Sequence, residues 1–245
     1  DDVMDKADVR RGKTTVHKVW DENKAILSGD AMEIIAFRYI ARTEAPHTGA
    51  VVELFLKTAL EICEGQQYDM EFERRDDVTE AEYIEMIRLK TAVLLGGALK
   101  IGAIIGGASE TDADCIYRFG ESLGLAFQLQ DDLLDSYGGE ELGKTIGGDI
   151  LEGKKSYLMV TAMSRADEEQ REVLRHTYKD AALAPAEKIA RVRAVFDALD
   201  VPRLTEQQIS LRFERALSIL DTLSVEPART KRMRDYAASL MGRKN

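Results

Sequence analysis

The sequence predicts an all-α fold in one domain over residues 1–245, and three observations carry that prediction. Long stretches rich in Ala, Leu, Glu, Arg and Met have high helix propensity and little clustering of β-branched residues. Only four prolines interrupt the chain, and two of them, Pro185 and Pro227, stand where a helix can begin without needing an N–H. Nothing in the remainder demands a sheet. With 44% hydrophobic and 32% charged residues, the composition is that of an ordinary globular protein, long enough to bury a sizeable core.

The elements follow in order. A first helix is expected over residues 24–43, opened by Asp21 and Glu22 and closed near Pro46, and a second over residues 49–73. A third runs from Thr79 to about Ile105; Thr79 is a good N-cap, and Glu82 three residues on completes a capping box. Residues 111–136 read as a long apolar helix that Gly138 and Gly139 break. A glycine-rich charged loop spans 143–153, and helix resumes over 157–164. Charged amphipathic helices are expected over 168–179, 185–199, 206–223 and 227–241.

Charge and cysteine content narrow the function. A net charge of −10 repels nucleic acid, so no nucleic-acid partner is expected. Cys63 and Cys115 match no metal or disulfide pattern and read as two semi-buried thiols in a reducing cytoplasm. The charged opening run has no signal-peptide pattern. The most apolar stretch, 91–109, reaches spanning length, but Lys100 at its centre and five glycines make a buried core helix the expectation, with no integral membrane segment.

Two acidic clusters carry the chemistry: Asp1-Asp2-Val3-Met4-Asp5 and Asp131-Asp132-Leu133-Leu134-Asp135. On a helix, residues four apart share a face, so Asp1 with Asp5, and Asp131 with Asp135, each set two carboxylates side by side. Such pairs repel, and a hard cation such as Mg2+ resolves the repulsion while keeping positions open for phosphate. A single cluster of this kind could equally be a solvated helix end. Two copies, one of them embedded behind the apolar run Leu123–Leu129, argue against that.

Basic groups lie nearby in sequence: Arg10-Arg11-Gly12-Lys13 after the first cluster, Lys90-Thr91, Gly143-Lys144 and Gly153-Lys154. Arginine forks and lysine point charges hold phosphates, although each alone could be a surface charge. Together the groups describe a Mg2+–diphosphate site, with Lys90, Lys144 and Lys154 placed to stabilise charge on a departing diphosphate. Gln128 either bonds a metal-bound water or the cationic side of a substrate, or is a buried glutamine on a neighbouring backbone group. The glycines at 96, 97, 102, 106 and 107 allow close helix packing or leave room for a prenyl tail.

The stretch DDVMDKADVRRGKTTVH resembles the first aspartate-rich motif and following arginines of the trans-prenyl diphosphate synthases, and LAFQLQDDLLDSYG resembles the second. Gly29-Asp30, Gly65-Gln66, Lys90-Thr91, Gly143-Lys144 and Asp149-Ile150 with Lys154 fall in the family's order. The resemblance covers residues 1 to about 160 and implies a helical bundle around a deep central cavity, as a homodimer. It implies Mg2+ as cofactor, three ions per active site, with Asp1, Asp2, Asp5, Asp131, Asp132 and Asp135 as the metal-binding set. It places Arg10, Lys90, Thr91, Gln128, Lys144 and Lys154 on an allylic diphosphate and Arg11 on isopentenyl diphosphate. Lys90, Thr91, Gln128, Lys144 and Lys154 are then the catalytic set, and the product a short-chain prenyl diphosphate of C15–C20. Members of the family carry a further segment ahead of the first motif, with a Gly-Lys-x-x-Arg element, so the chain is expected to be part of a longer one. An inactive partner subunit of a heteromeric synthase and a class I terpene cyclase are the alternatives. Intact aspartate clusters speak against the first, and DDLLD with Lys144 and Lys154 against the second.

Overall fold

The computed structural model describes residues 2–44, 46–138, 146–180 and 182–242. They fall into two compact units, Asp1–Lys57 and Thr58–Asn245. The all-α expectation holds, since a hairpin of two two-residue strands is the only sheet among the described residues. None of the described helices is long and apolar enough to cross a membrane.

In the first unit, β1 (Val9–Arg10) pairs antiparallel with β2 (Lys13–Thr14), with Val9 opposite Thr14 and Arg10 opposite Lys13. The two connecting residues, Arg11 and Gly12, have φ of 52° and 74°. Positive φ at both central positions is the two-residue turn that matches strand twist, and Gly12 meets it without a Cβ penalty. A short helix α1 (Val16–Val19) follows and packs on α2 (Glu22–Ile40). Asp21 caps α2, accepting from the Lys24 N–H at 2.8 Å, as its position in the sequence suggested. Helix α3 (Thr48–Phe72) then carries the chain into the second unit.

The second unit is built round one long helix, α6 (Glu110–Tyr137). It packs along α5 (Val93–Ile105) and α11 (Val201–Leu220). Helix α4 (Glu80–Ile87) starts at the expected capping box: the Glu82 N–H donates to Thr79 Oγ1, and the Thr79 N–H donates to Glu82 Oε2 at 2.9 Å. The expected helix from Thr79 to Ile105 is continuous in course but not in winding, because Arg88–Ala92 form a π turn between α4 and α5. In the expected 143–153 loop, Gly148–Glu152 form a short helix α7 between Gly147 and Gly153, which have φ of 77° and 76°. Helices α8 (Tyr157–Arg165), α9 (Glu168–Lys179) and α10 (Pro185–Ala198) follow. Helix α11 begins five residues earlier than expected, because Pro202 fits its first turn. A 3-10 turn (Pro227–Thr230) leads into α12 (Lys231–Met241).

Three apolar clusters fix these helices. Phe119, Leu123, Ala216 and Leu220 join α6 to α11. Phe72, Tyr83, Met86, Leu129 and Tyr157 join α3, α4, α6 and α8. Ile150, Leu158, Leu174, Val192 and Phe196 seat α7 among α8, α9 and α10. Lys188, only 7% exposed, donates to Tyr178 O at 2.9 Å and Leu151 O at 3.4 Å, so one cation satisfies carbonyls at the ends of α9 and α7.

The seam between α5 and α6 decides one of the two readings of the glycines. A Cβ on Gly120 would lie 2.8 Å from Gly96 Cα, and one on Gly124 would lie 2.6 Å from Ala92 Cα. Gly96 therefore serves close packing, whereas a Cβ on Gly102 would meet nothing within 4 Å. Helix propensity favours alanine over glycine by about 1 kcal/mol. Against a neighbouring backbone, overpacking costs about 1–3 kcal/mol. Gly120→Ala should accordingly lower the unfolding free energy in a urea titration, while Gly102→Ala should leave it level or raise it; a stabilising Gly120→Ala would show that the two helices do not touch there.

Candidate active site

In the first unit, Asp1 lies outside the described residues, and residues 2–6 form a single turn rather than an extended helix. The Ala7 N–H donates to Asp2 O at 3.0 Å and the Lys6 N–H to Val3 O at 3.3 Å, with Lys6 at φ 53°. That is the hydrogen-bond pair of a Schellman motif, which ends a helical turn in a left-handed residue. Asp2 and Asp5 thus stand at the carbonyl end of a helical turn, where the backbone's partial negative charge adds to their own. Arg10 answers part of that charge: its guanidinium reaches Asp2 Oδ1 at 2.5 and 2.7 Å. Arg11 occupies the hairpin turn and is exposed.

In the second unit, α6 carries Gln128, Asp131, Asp132 and Asp135. Asp131 and Asp135, four apart, share one face and are half-buried. Asp132 turns the other way and is 3% exposed. Its Oδ2 accepts from the Tyr83 hydroxyl of α4 at 2.5 Å and from the Tyr157 N–H at the start of α8 at 2.9 Å. Its Oδ1 accepts from Gln128 Nε2 at 3.1 Å. These bonds commit both oxygens of Asp132 to the protein, which sets it apart from Asp131 and Asp135 in the expected metal-binding set.

Asp135 is the anchor for α7. Its Oδ2 accepts from the Asp149 N–H at 3.0 Å, and its backbone carbonyl accepts from the Gly147 N–H at 2.6 Å. A Cβ on Gly148 would lie 3.1 Å from Asp135 Oδ1, so small residues let this turn come down onto the carboxylate. Asp149 is thereby brought beside Asp135. Lys154, at the far end of α7, donates its N–H to Asp149 O at 2.9 Å and sets its ammonium 3.5 Å from Glu152. Lys144 lies outside the described residues.

Lys90 and Thr91 sit in the π turn, where one extra residue per turn shifts side chains relative to an α-helix. Helix α3 presses on this turn through Gly65, where a Cβ would be 2.3 Å from Lys90 N. Lys90 Nζ pairs with Asp69 of α3 at 2.6 Å. Thr91 Oγ1 donates to Gln128 Oε1 at 3.1 Å. Gln128 thus bonds two side chains, one on the π turn and one on α6. Its amide is fixed between a hydroxyl and a carboxylate, and the charge on Asp132 dictates that the NH2 faces that side.

The electrostatics of the aspartates have one cause. Burial pushes the Asp132 carboxyl up to about 6, against the hydrogen bonds of Tyr83, the Tyr157 N–H and Gln128 that favour its charged form. Asp149 is pushed well above the usual range by burial first and then by the charges of Asp135 and Asp132, with Lys154 pulling the other way. Asp135 and Asp132 thus set their negative charges close to Asp149. Among the described residues no group of three His, Cys, Asp or Glu side chains stands close enough to hold a metal ion alone. Mg2+ does not need one, because it binds through one or two carboxylates and completes its shell with water and substrate phosphate. The hard oxygen donors of Asp131, Asp135 and Asp149, with repulsion to relieve, fit that ion.

Asp69, Tyr83 and Asp149 belong to this constellation and were given no role by residue type and spacing. Asp69 lay in sight, three residues after the Gly65-Gln66 pair. Tyr83 offered no signal, because its partner is 49 positions away.

The model of the polyprenyl synthetase family matches residues 1–198. A short chain isoprenyl diphosphate synthase of Methanothermobacter thermautotrophicus is 45% identical over 176 residues, covering 71% of this chain and 54% of that protein. A geranylgeranyl diphosphate synthase of Methanosarcina mazei is 44% identical over 168 residues, covering 67% and 52%. The chain spans about half the length of these curated relatives. Among solved structures, a geranylgeranyl pyrophosphate synthase superposes with a TM-score of 0.93 at 42% identity, over 100% of this chain and 76% of its own. The geranylgeranyl pyrophosphate synthetase of Pyrococcus horikoshii Ot3 gives 0.91 at 32% identity, over 99% and 74%.

Removing the Asp132 carboxylate leaves the Tyr83 hydroxyl and the Tyr157 N–H buried without a partner, at about 1–3 kcal/mol each. Asp132→Ala should therefore cost several kcal/mol in a denaturant titration, and Tyr83→Phe about 1 kcal/mol. The double variant should cost less than the sum of the singles; strict additivity would show that the two side chains are not bonded.

Proposed function

The chain belongs to the polyprenyl synthetase family, and from that premise we propose that the protein is a trans-prenyl diphosphate synthase, joining isopentenyl diphosphate head-to-tail to an allylic diphosphate. The observation that carries the reading is the pairing of Asp135 with Asp149, joined by the bond from the Asp149 N–H to Asp135 Oδ2, with Asp131 one turn back on α6 and Lys154 bonded to the carbonyl of Asp149. Ionisation of an allylic diphosphate needs no side-chain nucleophile, and a site of acidic and basic groups suits a reaction in which diphosphate leaves as an anion. A short-chain product, C15–C20, is our reading: several relatives are geranylgeranyl (C20) synthases, and two others, geranylfarnesyl synthases, make the next longer chain.

Asp1, Asp2 and Asp5 of the first acidic cluster, and Asp131 and Asp135 of the second, would each bind Mg2+, and Asp149 supports Asp135. When bound, the metal neutralises the diphosphate and makes it a better leaving group. The chain's own residues do the rest. The ammonium groups of Lys90 and Lys154 stabilise the charge that develops on the departing oxygens, with Lys144 assigned the same role. Asp69 holds Lys90 in place until diphosphate offers a stronger partner. Thr91 and Asp132 orient Gln128 so that its carbonyl oxygen keeps a lone pair for the electron-poor allylic carbon. Arg10 contacts the allylic diphosphate, and Arg11 the isopentenyl diphosphate. The allylic C–O bond breaks, the isopentenyl double bond attacks the cation, and the released diphosphate takes the proton that restores the alkene.

The protein would act as a homodimer in the cytoplasm. Exposed apolar residues such as Leu94 and Ile105 on α5 support pairing, and two free cysteines suit a reducing compartment. Incubation with isopentenyl diphosphate and dimethylallyl, geranyl or farnesyl diphosphate, with and without Mg2+, followed by mass spectrometry, tests the reading. The expected result is Mg2+-dependent prenyl diphosphates longer than the primer, abolished by Asp131→Ala and slowed about 10²–10³-fold in kcat by Lys154→Ala. Cyclised hydrocarbon would make the protein a cyclase, and no turnover by folded protein would make it a non-catalytic subunit.

A further inference from the structure

A separate cavity of about 300 Å³ opens in the second unit, between the residues leading into α4, the end of α7, and helices α8 and α9. That volume is at the lower end of the range for small-molecule sites. Its floor is apolar, made by Val78, Met159, Val160 and Met163. Its rim carries Arg74, Lys155 and Lys179. Within the rim Lys155 and Lys179 share one carboxylate: Asp76 is 2.7 Å from Lys179 Nζ and 3.8 Å from Lys155 Nζ. The other lining charges are engaged elsewhere or exposed. Arg175 is taken by Glu172 and Glu168, Glu152 reaches out to Lys154, and Glu73 stands in solvent. Arg74 makes no ion pair among the described residues.

Lys155 is the informative member. Its side chain is 11% exposed, and its ammonium is 5.9 Å from the Tyr178 ring centroid. At 3.8 Å, its contact with Asp76 is too long for a hydrogen bond. Burial of an ammonium is costly without a close partner, and Asp76 is already committed to Lys179. Tyr178, which forms part of the wall and is 7% exposed, has a buried hydroxyl with no hydrogen-bond partner. A largely buried cation with only a long contact to its carboxylate therefore stands beside the Tyr178 ring at the edge of a methionine floor. Lys154, the neighbour in sequence, faces different groups, Asp149 and Glu152, so the two lysines serve different places.

We propose that this cavity binds a small phosphate-headed amphiphile, its head among Lys155, Lys179 and Arg74 and its short apolar body against Met159, Met163 and Val78. Phosphate suits the rim better than a carboxylate, because it offers more acceptor oxygens and more charge to several separate cations. Methionine suits the floor, because its flexible thioether adapts to an apolar chain.

The test is a titration of the protein, labelled with ¹³C at its methionine methyls, with hexyl phosphate. Resonances are assigned with Met159→Leu and Met163→Leu. Saturable shifts at both methyls are expected, with weaker binding of inorganic phosphate and of hexanoate. Lys155→Met, which keeps the side chain's bulk, and Lys179→Glu, at the exposed rim, should each weaken binding by about tenfold or more. Asp131→Ala should leave it unchanged. The proposal is overturned by an absence of saturable shifts in the folded wild-type protein, or by shifts that survive both lysine variants. It is equally overturned by hexanoate binding as tightly as hexyl phosphate, or by binding that Asp131→Ala removes.

Discussion

The second unit depends on one buried carboxylate. Asp132 accepts from Tyr83 of α4, from the first N–H of α8 and from Gln128 one turn back on α6. An aspartate taken out of water stays charged only if hydrogen bonds replace its hydration, and the contest is visible in a carboxyl pushed up to about 6. The bond to Tyr157 comes from the N-terminal end of α8, where the helix dipole favours an anion. Because the pin joins three elements, Asp131 and Asp135, one residue before it and three after it on α6, inherit a fixed bearing. Through Gln128 and Thr91 the same pin sets the π turn that carries Lys90.

Close helix approach does the complementary work. Gly120 and Gly124 bring α6 against α5, and Gly65 brings α3 against Lys90. Side chains of ordinary size at those positions would separate the helices, and the candidate site residues carried on them would move apart as well. The methylene-level tolerance of a packed interior makes this seam as strict a determinant of the site as the charged residues themselves.

Much of this was legible in the sequence where the cause is local. The Thr79 capping box, the Asp21 cap, the break at Gly138 and the amphipathic C-terminal helices follow from neighbours within four residues. The two aspartate clusters were legible as chemistry, and the chain's membership of the polyprenyl synthetase family accords with them. What escaped has long-range or strained causes. The different orientation of Asp132 within its cluster is decided by Tyr83 and Tyr157, far along the chain. The helix α7 is held by Asp135 and Lys188 rather than by its own five residues. The Schellman turn after Asp5 needs Lys6 in a left-handed conformation that residue type alone does not announce. Asp1 and Lys144, both read as functional, lie outside the described residues.

Under the proposed function one acidic cluster divides its labour: Asp131 and Asp135 would hold metal, while Asp132 bonds Tyr83, the Tyr157 N–H and Gln128. Isothermal titration of Mg2+ with inorganic diphosphate into the wild type, Asp131→Asn and Asp132→Asn measures that division directly. Asparagine keeps the shape of the side chain and an acceptor for Tyr83 and the Tyr157 N–H, so Asp132→Asn should stay folded and bind Mg2+–diphosphate within a few-fold of the wild type, while Asp131→Asn loses at least about tenfold, or 1.4 kcal/mol. Equal losses in the two folded variants would contradict the account, because Asp132 would then be a metal ligand like its neighbours.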